Sequence, residues 1–392
     1  MSIVWILGAG FSKPLGAPLL KDLLWPEALR NIHYTYDEKQ YPKLRGLPTT
    51  SAHWLYQYGT RYARGHRDMD FKGVDMEGAQ FWENPEDYLD YLEVATQNDL
   101  SRAARIVRDA LRQFWGKALQ PVPVEEVSVA ARRLVAAECS AFLEGIDTES
   151  ERCMPYVRWA NTLVKPGDSV ITFNYDLVIE RVANRGGPKF MVPVNKDDLA
   201  GCRGLGDRVP VYKLHGSVDW RWNRKDGRIE HPGDDHFALT CDDKDLAIAS
   251  PGPLKLTMTK ELDLLWEHAM TDLRRATQIV FVGYGFPQTD AYAKRRLIEA
   301  IRENVSEGLH LHIVLGPDLR APPVVRLDGM LRHAISKRVG RYSPRGLTNY
   351  GMDKTLKFYQ LTIHPLFAED FFTVVEREAL TEPPTPDGPL PI

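Results

Sequence analysis

The feature that most constrains the fold is a short apolar run near the start of the chain, Ile3–Leu7, which ends at Gly8-Ala9-Gly10. A continuous apolar run closed by glycine is typical of a strand that is buried on both faces. Such strands occur in parallel sheets that helices cover on both sides, so the run predicts an α/β fold. The run is too short to cross a bilayer and follows no basic residues, so neither a membrane span nor a secretory signal is predicted.

Later segments alternate between the patterns of strands and helices. Apolar residues at helical spacing predict helices over 19–29 and 262–276. Asp226-Gly227 predicts the turn of a hairpin over 220–230. Because strands separated by helices pair in parallel, we expect a Rossmann-like, mostly parallel sheet flanked by helices. Short apolar runs predict its further strands at 169–173, 209–214, 246–249, 278–282 and 309–315.

A long middle stretch interrupts this alternation. At Asn84-Pro85-Glu86-Asp87 an N-cap, a proline in the first turn and a capping-box acid predict the start of a helix. Helical spacing returns over 101–119, 127–142 and 154–164. We therefore expect a largely helical insertion.

The predicted organisation has three parts. The Rossmann core is expected to comprise residues 1–30 and 166–320, and the helical insertion residues 31–165. Residues 321–392 are expected to form a C-terminal extension with a strand at 357–363, a helix at 367–380 and a disordered, proline-rich tail.

Charge and cysteine spacing exclude several function classes. The formal net charge is −3, so no nucleic-acid binding through bulk positive charge is expected. No two of the four cysteines form a C-x-x-C pair, so the usual spacing of zinc and redox modules is missing. A metal site made of Cys202, Cys241, His231 and His236 would fit no standard module, so no metal is predicted. Without an export signal, a reducing, cytoplasmic location is expected.

The first candidate binding element is the turn formed by Gly8, Ala9, Gly10, Phe11 and Ser12. Glycines after a strand let the backbone approach a pyrophosphate, and the start of the next helix offers N–H groups. A full dinucleotide fingerprint would have a third glycine at position 13, where this chain has Lys13. The hydroxyl of Ser12 could donate to phosphate. The alternative is a tight turn with no ligand.

The second candidate element is Thr172-Phe173-Asn174-Tyr175-Asp176, at the end of an apolar strand. In open α/β sheets ligands bind at this edge, where Asn174 and Asp176 would present polar groups. The alternative is that Asp176 caps the following helix, over 177–182, which would leave Asn174 unexplained.

Two further strand ends carry candidate residues. His215 follows a strand and precedes Gly216-Ser217, and histidine is the side chain best suited to proton transfer near neutral pH. Gly283, Tyr284 and Asp290 lie between another strand and a basic helix and could hold the second end of a dinucleotide. The alternatives are a structural histidine, and a helix cap at Thr289 or Asp290.

These elements, in this order, resemble the sirtuin superfamily and most closely its prokaryotic, NAD-consuming branch associated with phage defence. The segments that carry the resemblance read GAGFSKPLGAP, NPEDYLDYLE, ITFNYD, KLHGS and IVFVGYGFPQTD, and together they extend from Gly8 to Asp290. The resemblance implies that NAD lies across the C-terminal edge of the sheet, with its pyrophosphate on the turn at Gly8, Ala9, Gly10 and Ser12.

The resemblance also implies roles for the polar residues. Asn174 would orient the ribose next to nicotinamide or the attacking water, His215 would act as the base, and Asp176 would position its neighbours. Gly283 and Tyr284 would face the phosphates and adenosine. The candidate binding set is completed by Phe11, Thr172 and Asp290.

Three departures from the sirtuin pattern shape the functional expectation. The four zinc cysteines of deacylases are missing, and the hairpin with Trp220 and Trp222 takes their place. The strand end at 314–317 lacks the asparagine that relatives place near a ribose, and no sensor domain is evident. Without the zinc module, water is the favoured acceptor.

The expected function is therefore an NAD glycohydrolase that depletes NAD as an antiphage defence effector, with no zinc. Because such an activity needs control, we expect a homo-oligomer or a regulatory partner protein such as a defence ATPase. Two alternatives stay open: a sensor that binds NAD or ADP-ribose without turnover, and a deacylase or ADP-ribosyltransferase whose acceptor groove the hairpin lines.

Overall fold

The computed structural model describes residues 2–19, 22–23, 132, 135–140, 142–183, 187–204, 207–223, 225–234, 237–241, 245–249, 259–287, 290–341 and 358–381. The chain divides into two compact units. The first comprises Met1–Ala17, Gly145–Gly216 and Thr259–Ile392, and the second comprises Pro18–Glu144 and Ser217–Met258. Most of the predicted insertion, including the helix start at Asn84, lies outside the described residues, as does the proline-rich tail.

Strands form two sheets. In chain order the described strands are β1 Ile3–Leu7, β2 Ser169–Thr172, β3 Lys189–Met191, β4 Arg208–Lys213, β5 Gly216–Asn223, β6 Arg228–Glu230, β7 Leu246–Ile248, β8 Gln278–Val282, β9 Gly308–Val314 and β10 Phe358–His364. The larger sheet has seven strands in the order β10-β9-β8-β1-β2-β4-β3, and its described ladders are parallel. The smaller sheet has the order β6-β5-β7.

The order of the larger sheet is that of a doubly wound fold. From the central β1 the chain builds outward through β2 and β4 on one side, and later through β8, β9 and β10 on the other. β1 therefore pairs with β2 along one edge and with β8 along the other, which makes the β1–β8 boundary the topological switch point. The predicted Rossmann-like, mostly parallel sheet is confirmed, and its carboxyl edge is where ligands bind in such folds.

Helices cover this sheet. The described helices of the first unit are Ala9–Ser12, Met154–Arg158 with its π-helical continuation Trp159–Leu163, Val178–Ala183, Lys196–Gly204, Thr259–Arg275, Ala291–Arg302, Pro322–Arg341, Ala368–Val374 and Arg377–Thr381. The predicted helix at 367–380 is two helices, because Val375 is extended with φ −78° and ψ 140°. Within the described part of the chain, no helix combines the length and apolar character that a membrane crossing requires.

An aromatic cluster fixes the start of the chain in the core of the first unit. Trp5 of β1 meets Trp159 edge to face, with ring centroids 5.9 Å apart. The ring centroid of Phe11, in the turn after β1, lies 5.2 Å from those of Tyr156 and Trp159 and 5.8 Å from that of Phe372. Burial raises the pKa of the Tyr156 phenol. The side chain of Phe11 therefore packs in the core and holds the glycine turn in place.

The edge of the sheet contains a group of histidines. Nδ1 of His312 in β9 lies 3.0 Å from Nε2 of His364 in β10, and the rings of His310 and His312 are 3.8 Å apart. Burial lowers the pKa of His312 well below 6.5, and the nearby His310 and His364 lower it further. Burial lowers the pKa of His364 in the same direction. Burial therefore favours the neutral form of His312 and His364 in the folded protein.

This arrangement predicts a loss of stability in acid. Below about pH 6.5 the unfolded chain binds a proton at His312 that the folded chain does not bind, so the free energy of unfolding falls as pH falls. We expect a slope of about 1.4 kcal/mol per pH unit from this group. His312→Leu should flatten the slope between pH 6.5 and 5 in urea unfolding, whereas His333→Leu, on an exposed helix face, should not. Equal slopes in wild type and His312→Leu would contradict this account.

The second unit contains the predicted hairpin. Arg221, Trp222 and Asn223 pair with Glu230, Ile229 and Arg228 in antiparallel register, and Gly227 has φ +68° at the turn. Trp220 is fully buried, whereas Trp222 is partly exposed. Asp219 and His231 form an ion pair at 2.6 Å. The ring of Trp220 is thus part of a core.

Candidate functional site

Two glycine turns meet at the carboxyl ends of β1 and β8. The N–H of Gly8 donates to the carbonyl of Val282 at 3.0 Å, and that of Gly10 donates to Gly283 at 3.1 Å. A Cβ atom on Gly8 would lie 2.6 Å from the Gly283 oxygen, and one on Gly283 would lie 2.2 Å from the Phe11 nitrogen. Gly283 also has φ +66°. Glycine is therefore required at both turns because their backbones touch.

This contact predicts a strong effect of adding one methyl group. Gly283→Ala should destabilise the protein by about 3 kcal/mol or more, because it combines a backbone clash with a strained φ. Gly329→Ala is the matched control, since its Cβ would meet nothing within 4 Å in the helix Pro322–Arg341. That change should stabilise by up to about 1 kcal/mol. Equal unfolding midpoints for the two variants would refute the argument.

Asn174 ties the end of β2 to the first glycine turn. Its side-chain Nδ2 donates to the Gly8 carbonyl at 3.0 Å and to the Ser12 hydroxyl at 3.1 Å. The Ser12 hydroxyl also hydrogen-bonds the Asp176 carboxylate. The Asn174 backbone N–H donates to Oγ1 of Thr172 at 3.1 Å. Ser12 is 0% exposed and Asn174 8%, so this network is internal, while Ala9 and Gly10 are partly exposed.

Asp176 lies at the start of the next helix, as the sequence alternative proposed. Its Oδ1 accepts the N–H of Val178 at 3.1 Å, which confirms the predicted cap. Burial raises the pKa of Asp176, and the ammonium of Lys213 opposes that shift. Lys213 is fully buried, and its Nζ donates to the Asp176 carbonyl and to Oε1 of Glu180, both at 2.7 Å. Asp176 is therefore held by Ser12, Val178 and Lys213.

Lys213 is a site residue that the sequence did not identify. A lysine at the end of an apolar strand is ordinarily expected to extend into water. Its partners Asp176 and Glu180 lie far away in sequence and come close only because β2 and β4 are neighbours. The weak signal was its place two residues before His215.

His215 lies in a second, aromatic part of the site. Its Nε2 is 3.4 Å from Oδ2 of Asp290, and its ring meets Phe173 edge to face at 5.0 Å. Phe173 stacks on Tyr284, with ring centroids 4.2 Å apart and an interplanar angle of 12°. The hydroxyl of Tyr284 donates to Asp290 at 3.0 Å. These four side chains form a closed ring of contacts.

The prediction that the Asp290 side chain caps the following helix is wrong. Asp290 occupies the N-cap position of Ala291–Arg302 but makes no side-chain cap hydrogen bond. Its carboxylate is directed to Tyr284 and His215 instead. The other proposed cap, Thr289, lies outside the described residues.

The structure thus brings the predicted site residues into two groups. Gly8, Gly10, Ser12, Thr172, Asn174 and Asp176 form one group, and His215, Gly283, Tyr284 and Asp290 contribute to the other. The groups join at the contact between the Gly8 and Gly283 turns and at Phe173, the neighbour of Asn174. All stand at the carboxyl edge of the sheet beside the switch point.

The site combines an imidazole with two buried carboxylates. Carboxylates in a buried environment of low dielectric constant create a negative electrostatic potential, which stabilises a cationic transition state. The imidazole can accept a proton, and amide groups can orient a ligand. Among the described residues, no three His, Cys, Asp or Glu side chains converge in a way that could hold a metal ion.

Comparison with known proteins gives one family match. A family model described as the SIR2-like domain matches residues 168–325, which is less than half of the chain and includes Asn174, His215 and Asp290 but not the first glycine turn. No curated protein matches the sequence.

The solved structures that match this chain include two whose sequence identity to it is low. One is a crystal structure of Sir2 in complex with the inhibitor EX-527, 2'-O-acetyl-ADP-ribose and a deacetylated p53 peptide. It is 13% identical, with 97% of this chain and 94% of that chain covered and a TM-score of 0.30. The other comes from work on the structural basis of sirtuin substrate affinity. It is 14% identical, with 86% and 93% covered and a TM-score of 0.29.

These TM-scores are too low to support an argument, so the fold assignment rests on the strand order. The family match shows that residues 168–325 are similar to the SIR2-like domain.

Proposed function

We propose that this protein is an NAD glycohydrolase, which converts NAD and water to nicotinamide, ADP-ribose and a proton. The observation that carries the proposal is the position of His215 and Asn174 at the carboxyl edge of adjacent strands, beside the glycine turns of the switch point. Ligands of doubly wound folds bind at that place. The SIR2-like match over the same residues points to NAD as the ligand.

The proposed reaction breaks the bond between nicotinamide and ribose. The electron pair of that bond leaves with nicotinamide, which departs as a neutral molecule and needs no strong general acid. Positive charge develops on the ribose, where the negative potential of the Asp290 carboxylate is stabilising. His215 takes a proton from the attacking water or from a ribose hydroxyl. Asn174 holds the first glycine turn in position through its hydrogen bonds to Gly8 and Ser12.

Water is the proposed acceptor instead of an acylated peptide. The sequence has no zinc-cysteine pattern of the kind that deacylases carry. The full burial of Trp220 also removes one of the two indole rings that were expected to line an acceptor groove. An acceptor site would then rest on Trp222 alone among those two rings.

We further propose that the reaction serves to deplete cytoplasmic NAD as a defence against phage. An enzyme that consumes NAD must be restrained, and the low exposure of Asn174 and His215, 8% and 7%, is consistent with a latent state. Control by homo-oligomer formation or by a partner protein such as a defence ATPase would provide the trigger. A lone monomer that is constitutively active, measured by light scattering alongside the assay, would refute this control.

The experiment that tests the proposal identifies products and acceptor together. Purified protein is incubated with NAD in ¹⁸O-labelled water, with and without an acyl-lysine peptide. We expect nicotinamide and ¹⁸O-labelled ADP-ribose in equal amounts, independent of the peptide. Nicotinamide release that requires the peptide would instead show a transferase. Tight binding of NAD or ADP-ribose with no product, in every oligomeric state tested, would show the sensor.

A further inference from the structure

The carboxylate of Asp290 is placed to control the hydrogen on His215. Oδ2 of Asp290 lies 3.4 Å from Nε2 of His215 and accepts the Tyr284 hydroxyl at 3.0 Å. Asp290 is 2% exposed and His215 7%. Because both groups are nearly excluded from water, their interaction is stronger than it would be at a surface.

Specific contacts hold the backbone that directly follows Tyr284. Phe286 is fully buried and has φ +50°, a conformation that a bulky residue keeps only where its surroundings enforce it. Nε and Nη2 of Arg326 both donate to the Gly285 carbonyl, at 3.1 and 2.9 Å. Tyr284, the hydrogen-bond partner of Asp290, is therefore carried by a backbone that is held in place.

We propose that Asp290 is a positioning residue that selects the tautomer of His215. An ionised carboxylate can only accept hydrogen bonds, so Tyr284 donates and Nε2 of His215 carries hydrogen. Nδ1 then holds the lone pair and is the atom that accepts a proton. This inference rests on the proposed function. It replaces the helix cap that the sequence suggested for Asp290, while the cofactor contact of Asp290 stays a prediction.

The same contact stabilises His215 after it accepts a proton. The proton moves from the attacking water or ribose hydroxyl to Nδ1, and the resulting imidazolium faces the negative charge of Asp290. Two tyrosines also contact this pair: the ring of Tyr175 lies 6.2 Å from that of His215 between centroids, and Tyr284 donates to Asp290.

The test replaces the carboxylate by an amide of the same shape. In Asp290→Asn, with the amide nitrogen in the place of Oδ2, the NH₂ group can donate one hydrogen to Nε2 of His215 and the other to the Tyr284 hydroxyl oxygen, so the hydrogen of His215 moves to Nδ1. We expect kcat at neutral pH to fall by about 10²–10⁴-fold with little change in KM for NAD. Tyr284→Phe keeps the stacked ring and should lose about tenfold or less. Asp328→Asn, in an exposed pair with Arg332, should match wild type.

A second readout does not depend on hydrolysis. ¹⁵N NMR of the histidine side chains, assigned with His215→Gln, should show hydrogen on Nε2 of His215 in wild type and on Nδ1 in Asp290→Asn. If the hydrogen moves from Nε2 in wild type to Nδ1 in Asp290→Asn but wild type does not cleave NAD, the proposed function fails and the positioning role stands. Wild-type tautomer or wild-type kcat in Asp290→Asn would overturn the inference.

Discussion

His215→Ala is expected to lower the turnover of NAD by about 10²–10⁴-fold, the range that a positioned general base contributes. The imidazole is the proton acceptor of the proposed site, and water would have to replace it in the variant. His215 also contacts Phe173 and Asp290, so its removal leaves a small cavity in a ring that is otherwise closed. The measurement is nicotinamide release under saturating NAD, with thermal unfolding to verify that the variant is folded.

The matched control is His333→Ala, on the exposed face of Pro322–Arg341. It removes the same side chain at a distance from the carboxyl edge and should retain wild-type turnover. His215→Gln gives a second variant that refills most of the space. If either His215 variant retained wild-type turnover, the assignment of the base would be wrong.

Asp168→Ala is expected to lower the free energy of unfolding by about 3–5 kcal/mol, which is the usual effect of removing one partner of a buried ion pair. Both oxygens of the fully buried Asp168 carboxylate accept from Arg377, at 2.6 and 2.9 Å. The same carboxylate accepts the N–H groups of Ile3 and Lys165, each at 2.9 Å. One side chain thus fastens the start of β1, the turn before β2 and the last described helix.

Chemical unfolding measures this effect, and a double-mutant cycle separates the pair from its surroundings. Adding Arg377→Ala to Asp168→Ala should cost less than the sum of the single changes, because the charge left alone in the first variant is removed. Asp328→Ala breaks an exposed pair with Arg332 and should change stability by less than about 1 kcal/mol. A similar small effect for Asp168→Ala would contradict the described network.

The elements that sequence analysis located correctly are those with local signals. β1 and β8 are continuous apolar runs because both of their faces are buried, and each run ends at a glycine. The Asp226-Gly227 turn was found because a hairpin turn needs φ > 0, which Gly227 has. The Asp176 cap could be considered from the sequence because the carboxylate and the N–H group that it accepts are only two residues apart.

The parts that sequence analysis missed depend on contacts between distant segments. The partners of Lys213 lie on another strand and its helix, so nothing in its neighbourhood predicted a buried ion pair. Asp290 looks like a cap because it precedes a helix, but its carboxylate contacts Tyr284 and His215, which lie in other segments of the site. The hydrogen bonds of Ser12 to Asn174 and Asp176 also join segments that are distant in sequence, so they were not predicted.

The pairing of the last strand shows the same limit. The pattern at 357–363 predicted a strand, which is observed as Phe358–His364. Its position beside β9, and the contact between His312 and His364 that follows, arise from a register that the local pattern does not encode.

The measurement that tests the central claim most directly is incubation of the purified protein with NAD beside Asn174→Ala, with nicotinamide and ADP-ribose quantified. Asn174 joins the glycine turn to β2 through two hydrogen bonds, so its removal disturbs the proposed site while leaving the sheet in place. The account predicts equal amounts of both products from wild type and a loss of at least about 10²-fold in the variant. Wild-type hydrolysis by a folded Asn174→Ala protein would contradict it, since NAD would then be cleaved elsewhere.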